Sequence, residues 1–211
     1  MTKVLLLGAS GQIARHAIDA LASDGDIEMT LFLRNASRIS NPPGNARLIE
    51  GDVLDRAQSN AAMAGQDIVY ANLTGEDLDD QARSIIASMR AAGVKRLVFV
   101  LALGIYDEVP GAFGEWNRHT IGADLEPFRR AASLIETSGL DYTIIRPAWL
   151  TDEDEINYET TEKGERFNGT VVSRKSVADL IAKIIRSPDR HIHASLGINK
   201  PGTDADKPYF M

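Results

Sequence analysis

A short apolar run, Val4 to Leu7, passes straight into Gly8-Ala9-Ser10-Gly11, and the residues after it put Ala14, Ala17, Ile18 and Leu21 on one helical face. Nothing else in the chain constrains the fold as strongly. A continuous apolar run is the pattern of a strand covered on both sides. The spacing that follows is that of a helix with one buried face. A strand that turns through glycines directly into such a helix is the start of a βαβ unit.

The same alternation continues. Strands are expected at Met29 to Leu33, Arg47 to Ile49, Asp67 to Leu73, Leu97 to Leu103 and Tyr142 to Ile145. Helices are expected where Ala82, Ile85, Ile86 and Met89 share a face, at Phe128 to Glu136, and where Val177, Leu180, Ile181, Ile184 and Ile185 recur. Gly93 should close the first of these as a C-cap, and Ser173 or Ser176 should open the last. Strands alternating with helices of this length give a parallel sheet, and right-handed crossovers make it doubly wound, of Rossmann type. A single domain is expected, with a core over about residues 3–150 and a smaller substrate-side segment over about 151–211. The tail, Asn199 to Met211, is rich in Pro, Gly and Asp and reads as irregular.

One connection stands out. Gly104 to Glu126 contains Pro110, Gly111, Gly114 and Gly122 and reads as one long loop. It leaves the carboxyl end of a central strand, where open α/β sheets bind ligands, and loops of that length usually cover a site.

Composition removes several function classes. The formal net charge is -7, and no Lys/Arg cluster offers itself to a nucleic acid. There is no cysteine, so disulfides and thiolate chemistry are absent. The apolar run that ends at Leu7 is too short for a signal-peptide core or a membrane span, so a cytoplasmic protein without a membrane partner is expected. The acidic run Asp152 to Glu155 reads as a solvated loop, and His191-x-His193 lacks further ligands at a suitable spacing, so no metal site is expected.

The turn after the first strand carries the functional signal. Gly8 lets the chain tighten, Gly11 leaves room for a pyrophosphate, and the helix that follows offers free N–H groups and a partial positive charge. At the end of the second strand, NAD-selective sites place a carboxylate for the adenine ribose. Here the sequence is Leu31-Phe32-Leu33-Arg34-Asn35. A guanidinium at Arg34, with Arg38 nearby, suits a 2′-phosphate, so NADP(H) is expected in preference to NAD(H).

Four segments in order, GASGQIA from Gly8, GDVLD at Gly51 to Asp55, TSGLDYTIIRPAWL at Thr137 to Leu150 and SVADLI at Ser176 to Ile181, resemble the atypical short-chain dehydrogenase/reductases. The branch most similar is the NAD(P)H-binding, NmrA-like group that includes flavin and biliverdin reductases. The resemblance spans roughly residues 3 to 198. It implies that Ser10, Gly11, Gln12 and Ile13 cradle the pyrophosphate and that Asp52 and Val53 border the adenine. It further implies that Asn72, Leu73 and Thr74 line the ribose and nicotinamide side, with Pro147, Ala148 and Trp149 beside the nicotinamide. Carbonyl-reducing members use a Tyr-x-x-x-Lys pair, and the matching positions here hold Phe128 and Ala132. The hydroxyl usual after the fifth strand is replaced by Leu101-Ala102-Leu103-Gly104.

Leu103 at the strand exit, with Tyr106, Phe113, Trp116 and His119 in the long connection, are the candidates for contacting a planar acceptor such as a flavin or quinone; alternatively the rings pack among themselves. The expected activity is hydride transfer from NADPH to such an acceptor. A dinucleotide-binding redox sensor without turnover is the alternative, and an epimerase or dehydratase is disfavoured by the missing Tyr and Lys.

Overall fold

The computed structural model describes all 211 residues. Strand β1 (Thr2–Leu7) leads through the glycine turn into α1 (Gln12–Leu21), followed by β2 (Ile27–Leu33), β3 (Ala46–Glu50), α2 (Arg56–Met63), β4 (Ile68–Ala71) and α3 (Leu78–Ala92). Next come β5 (Arg96–Val100), α4 (Gly111–Ile121), α5 (Glu126–Glu136) and β6 (Asp141–Pro147). The chain ends with β7 (Trp149–Thr151), β8 (Glu159–Thr161), β9 (Val171–Ser173), α6 (Arg174–Arg186) and β10 (Ala194–Asn199).

Eight strands form one sheet in the order β3-β2-β1-β4-β5-β6-β10-β8. Every pairing is parallel except the edge strand β8, which runs antiparallel to β10. The alternation of side chains along β1 explains the three layers. Val4 and Leu6 enter the apolar core shared with α1 and α6, whereas Leu5 and Leu7 enter the core under α2, α3 and α5. The strand order reverses between β1 and β4, and that switch point opens a crevice at the carboxyl ends of the strands.

The C-terminal segment is woven into this body. Helix α6 buries Val177, Leu180, Ile181, Ile184 and Ile185 and starts at Ser173, whose side chain accepts the Ser176 amide. Strand β10 extends the sheet beyond β6. The sequence reading passes over it, although Ala194, Leu196 and Ile198 alternate with Ser195, Gly197 and Asn199 at the period of a strand.

Two further elements differ from the expectations. Residues 104–126 are not a continuous loop: α4 occupies Gly111–Ile121. Its glycines hide it from propensity, yet a Cβ at Gly114 would lie 2.0 Å from the Val109 carbonyl oxygen, so that position needs glycine for close packing. Helix α2 also gives little periodic signal, being short and polar. Its start is set by Asp55, whose carboxylate accepts the amides of Ala57 and Gln58 at 2.9 and 3.1 Å.

The acidic run Asp152 to Glu155 is a solvated segment, with the Asp152 and Asp154 side chains 76% and 87% exposed, that also carries surface ion pairs: Asp152 on Arg174, Asp154 on Lys175, and Glu153 and Glu155 on Lys200. Its pairs tie the segment after β7 to the start of α6 and the end of β10. No helix is long and apolar enough to cross a membrane. His191 and His193 lie in the turn before β10, both at φ +56°, and no group of three or more His, Asp or Glu side chains is arranged to hold a metal.

Candidate functional site

The switch point holds a cavity of about 220 Å³. Gly8, Ser10 and Gly11 from the first turn, Arg34 and Arg38 from the end of β2, Asp52 and Val53 after β3, and Asn72, Leu73 and Thr74 after β4 all line it. The structure thus gathers residues from four connections, three of them βα and the fourth between β2 and β3, around one crevice.

The glycines are required by how closely these connections meet. Gly8 has φ +74°, and a Cβ there would lie 2.2 Å from the backbone oxygen of Asn72. A Cβ on Gly11 would lie 2.1 Å from Asn72 Nδ2. The first clash is with backbone, the second with a side chain that can swing away. Gly8→Ala is therefore expected to cost about 1–3 kcal/mol or more through backbone strain alone, while Gly11→Ala should mainly displace Asn72 and weaken cofactor binding. Thermal melts of both variants with and without NADPH check this; a Gly11→Ala protein that melts lower than Gly8→Ala would contradict it.

Gly11 is the N-cap of α1, which like α3, α4 and α5 has no side-chain cap; unlike them it opens directly behind the glycine turn on the cavity wall. Its first amides are left to a ligand, the arrangement that holds anions at helix starts. Ser10 reaches the cavity, while the side chain of Ile13 is buried in the core and Gln12 is exposed outside the lining. A pyrophosphate contact from these two residues is therefore a matter of their backbone amides.

The wall expected to border the adenine is shaped by the GDVLD segment. A Cβ on Gly51 would lie 2.6 Å from the Phe32 ring, so the glycine makes room for that ring at the cavity wall. Asp52 folds back to accept the Leu54 amide at 2.9 Å, and the Val53 carbonyl accepts Ser84 Oγ at 2.5 Å. At the opposite wall, Gln81 Nε2 donates to Asp77 at 2.7 Å and to the Thr74 carbonyl at 3.3 Å.

The residues expected beside the nicotinamide lie beyond this cavity but next to one another. The Leu103 amide donates to the Pro147 carbonyl at 3.3 Å, so the exits of β5 and β6 run side by side. Pro147 and Ala148 are buried, and Trp149 is half-buried in β7. Across from it, α4 presents Phe113, Trp116 and Asn117. Trp116 and Trp149 have ring centroids 4.9 Å apart, and the Trp149 indole donates to Asn117 Oδ1 at 2.9 Å. Phe113 is buried behind Trp116, so the rings in this connection pack on each other as well as facing the strand exits. His119 is exposed on α4 and takes no part in this cluster.

Tyr106 is placed differently. Its hydroxyl donates to Glu136 Oε1 at 2.7 Å, and its ring lies between the guanidinium of Arg146 and the ammonium of Lys163. Burial, with Glu136 adding to it, pushes the phenol well above its ordinary pKa. It is committed to protein contacts on the α5 face of the sheet.

Sequence reasoning did not single out Arg146 or Glu108. Arg146 is fully buried in β6 and pairs with Glu108, which is itself buried and accepts the amides of Gly104 and Tyr106 at 3.0 Å each. The signal was present: an arginine inside the apolar stretch Thr143-Ile-Ile-Arg146-Pro has to find a buried partner.

A family model described as NAD(P)H-binding matches residues 8–188, from the first glycine of the turn to the end of α6. The chain belongs to this NAD(P)H-binding family. A Rossmann-fold NAD(P)-binding family protein from Shigella flexneri is 58% identical, with a TM-score of 0.87 over 100% of both chains. A short-chain dehydrogenase/reductase from Veillonella parvula DSM 2008, solved in complex with NADP, is 27% identical with a TM-score of 0.89 over 99% of both chains. Among curated proteins, the uncharacterized sugar epimerase YhfK of Bacillus subtilis is 27% identical over 85% of this chain and 86% of its own length. The NAD(P)H-binding family, the NADP-bound neighbour and the uncapped glycine turn agree on a nicotinamide dinucleotide as the cofactor class.

Proposed function

We propose that this NAD(P)H-binding protein is an NADPH-dependent reductase of a planar acceptor, a flavin or a quinone. The observation that carries the reading is the pair Arg34 and Arg38 on the cavity wall at the end of β2, both exposed and neither in an ion pair. A 2′-phosphate supplies the missing counter-charge.

The cofactor supplies a hydride; the chain supplies position. Ser10, Gly11 and the α1 amides would hold the pyrophosphate, and the side-by-side exits of β5 and β6 at Leu103 and Pro147 would support the nicotinamide end. Trp116 and Trp149 offer apolar surface for a planar acceptor stacked above it.

The positions matched to the Tyr-Lys pair supply no proton donor. Phe128 packs against the core and Ala132 is buried within it, so the positions matched to the Tyr-Lys pair carry no acid. A simple ketone needs a proton delivered to its developing alkoxide, work worth about 10²–10⁴ in rate. A flavin or quinone spreads the incoming charge over a conjugated system and takes its proton from solvent afterwards. The same absence disfavours an epimerase chemistry of the kind YhfK is named for.

Steady-state NADPH oxidation against a panel of free flavins, quinones, aldehydes and ketones tests the proposal. Turnover is expected with the flavins or quinones and little or none with the simple carbonyls. Brisk reduction of a simple ketone would overturn it, and binding of NADPH without turnover of any acceptor would leave the redox sensor as the better reading.

A further inference from the structure

Arg15 lies one turn into α1, where its amide donates to the Gly11 carbonyl at 3.0 Å. Its side chain leaves the helix toward the short 3-10 turn Ala36–Arg38 that follows β2, and Nη2 donates to the Arg38 carbonyl at 3.5 Å. Arg34 and Arg38 stand on the cavity wall at the same corner. Arg15 is not among the residues lining the cavity, but its guanidinium reaches the turn that carries Arg38, so three arginines from two elements gather around this turn, and none of them has a carboxylate within ion-pair distance.

Convergence of like charge is unfavourable unless something negative is meant to join it. This chain has 30 acidic residues against 23 basic ones, so a carboxylate was available to relieve the corner. The acid that is present is turned aside. Glu50, at the end of β3, accepts the Ala36 amide at 2.8 Å and does not line the cavity. Its role is to pin the first residue of the 3-10 turn, while the Asn35 side chain accepts the Ser37 amide at 3.0 Å and fixes the next. Both contacts fix the backbone that carries Arg38, and the Arg38 carbonyl in turn receives Arg15.

We infer that Arg15 is a third specificity-determining residue for the 2′-phosphate, acting with Arg34 and Arg38 from the helix that also receives the pyrophosphate. The inference rests on the reading that this corner selects NADPH. Arg15 makes one weak, long bond to the Arg38 carbonyl, and its other donors are uncommitted. A purely local surface arginine would contribute nothing that depends on a 2′-phosphate.

The test is titration calorimetry on the full-length protein with 2′,5′-ADP and 5′-AMP as probes, comparing the unmutated protein, Arg15→Ala, Arg15→Lys and Arg34→Ala. Arg15→Ala should weaken 2′,5′-ADP by about five- to tenfold, the lower range for a charge-assisted bond at an exposed site. Its 5′-AMP affinity should stay within about twofold and its melting temperature should hold. Arg15→Lys should recover part of the loss, and the selectivity should shrink as salt is raised. If the unmutated protein does not prefer 2′,5′-ADP, the NADPH reading fails and the inference with it. If the preference exists and Arg34→Ala removes it while Arg15→Ala does not, the inference alone is overturned. Equal losses for both probes in Arg15→Ala would also overturn it, since the residue would then serve the rest of the nucleotide or the fold.

Discussion

Arg34→Glu is expected to lower NADPH affinity by about a hundredfold or more and to leave NADH within a few-fold of its original value. The loss has two parts. Charge-assisted bonds to a phosphate contribute on the order of 1.5–3 kcal/mol, which is roughly ten- to a hundredfold. A carboxylate at the same place then adds repulsion, though water at this open rim screens it. NADH lacks the phosphate and loses neither; its ribose hydroxyls can donate to the new carboxylate, as in NAD-selective sites. The turn should survive the change, because its geometry is set by Glu50 and Asn35 rather than by Arg34. Dissociation constants for both cofactors, measured on the unmutated protein and the variant, decide the matter. Equal constants for the two cofactors before mutation would sink the assignment of this corner.

How far the sequence could be read follows from which interactions are local. The first βαβ unit was readable because burial on both faces of β1 forces a continuous apolar run, and because the glycine turn needs its residue types whatever surrounds it. Arg34 was readable for the same reason: the end of β2 is located by counting from that unit. Helix α4 was not. Its Gly111 and Gly114 argue against a helix locally, and only the close approach to the Val109 carbonyl, a tertiary contact, justifies Gly114. Strand β10 is announced by the alternation of Ala194, Leu196 and Ile198 with Ser195, Gly197 and Asn199, but its place beside β6 is a matter of which sheet edge is free, which that alternation does not state. Tyr106 reads as a free aromatic in a loop, yet Glu136 and Lys163, far along the chain, claim it. Arg15 reads as the polar face of an amphipathic helix until the turn after β2 is folded against it.

The largest stability effect should come from the buried pair of Arg146 and Glu108, neither of which faces the cofactor cavity. Arg146 is 0% exposed and donates from Nε and Nη2 to Ser195 Oγ and its carbonyl oxygen, both at 3.1 Å, and from Nη1 to Glu108. Glu108 in turn holds the Gly104 and Tyr106 amides. Glu108→Leu would strand a guanidinium in the interior, and Arg146→Met would strand a carboxylate; breaking such a pair on one side costs about 3–5 kcal/mol. For a domain of this size that is a fall in melting temperature of roughly 6–20 °C. The double variant should recover part of the loss, because no unpaired charge remains, but not all of it. The two amides that Glu108 satisfied would still lack an acceptor, at about 1–3 kcal/mol for each buried group left unsatisfied. A functional consequence follows from where the pair sits. The segment it pins, Gly104 to Val109, leads from β5 into α4, and α4 carries the Trp116 side of the proposed acceptor surface. In the double variant, acceptor KM should therefore rise while NADPH affinity, which depends on connections from β1 to β4, stays close to that of the unmutated protein. Single variants that melt within about 1 kcal/mol of the unmutated protein would mean the pair is solvated in solution. A double variant with unchanged acceptor KM would separate this segment from the acceptor side of the site.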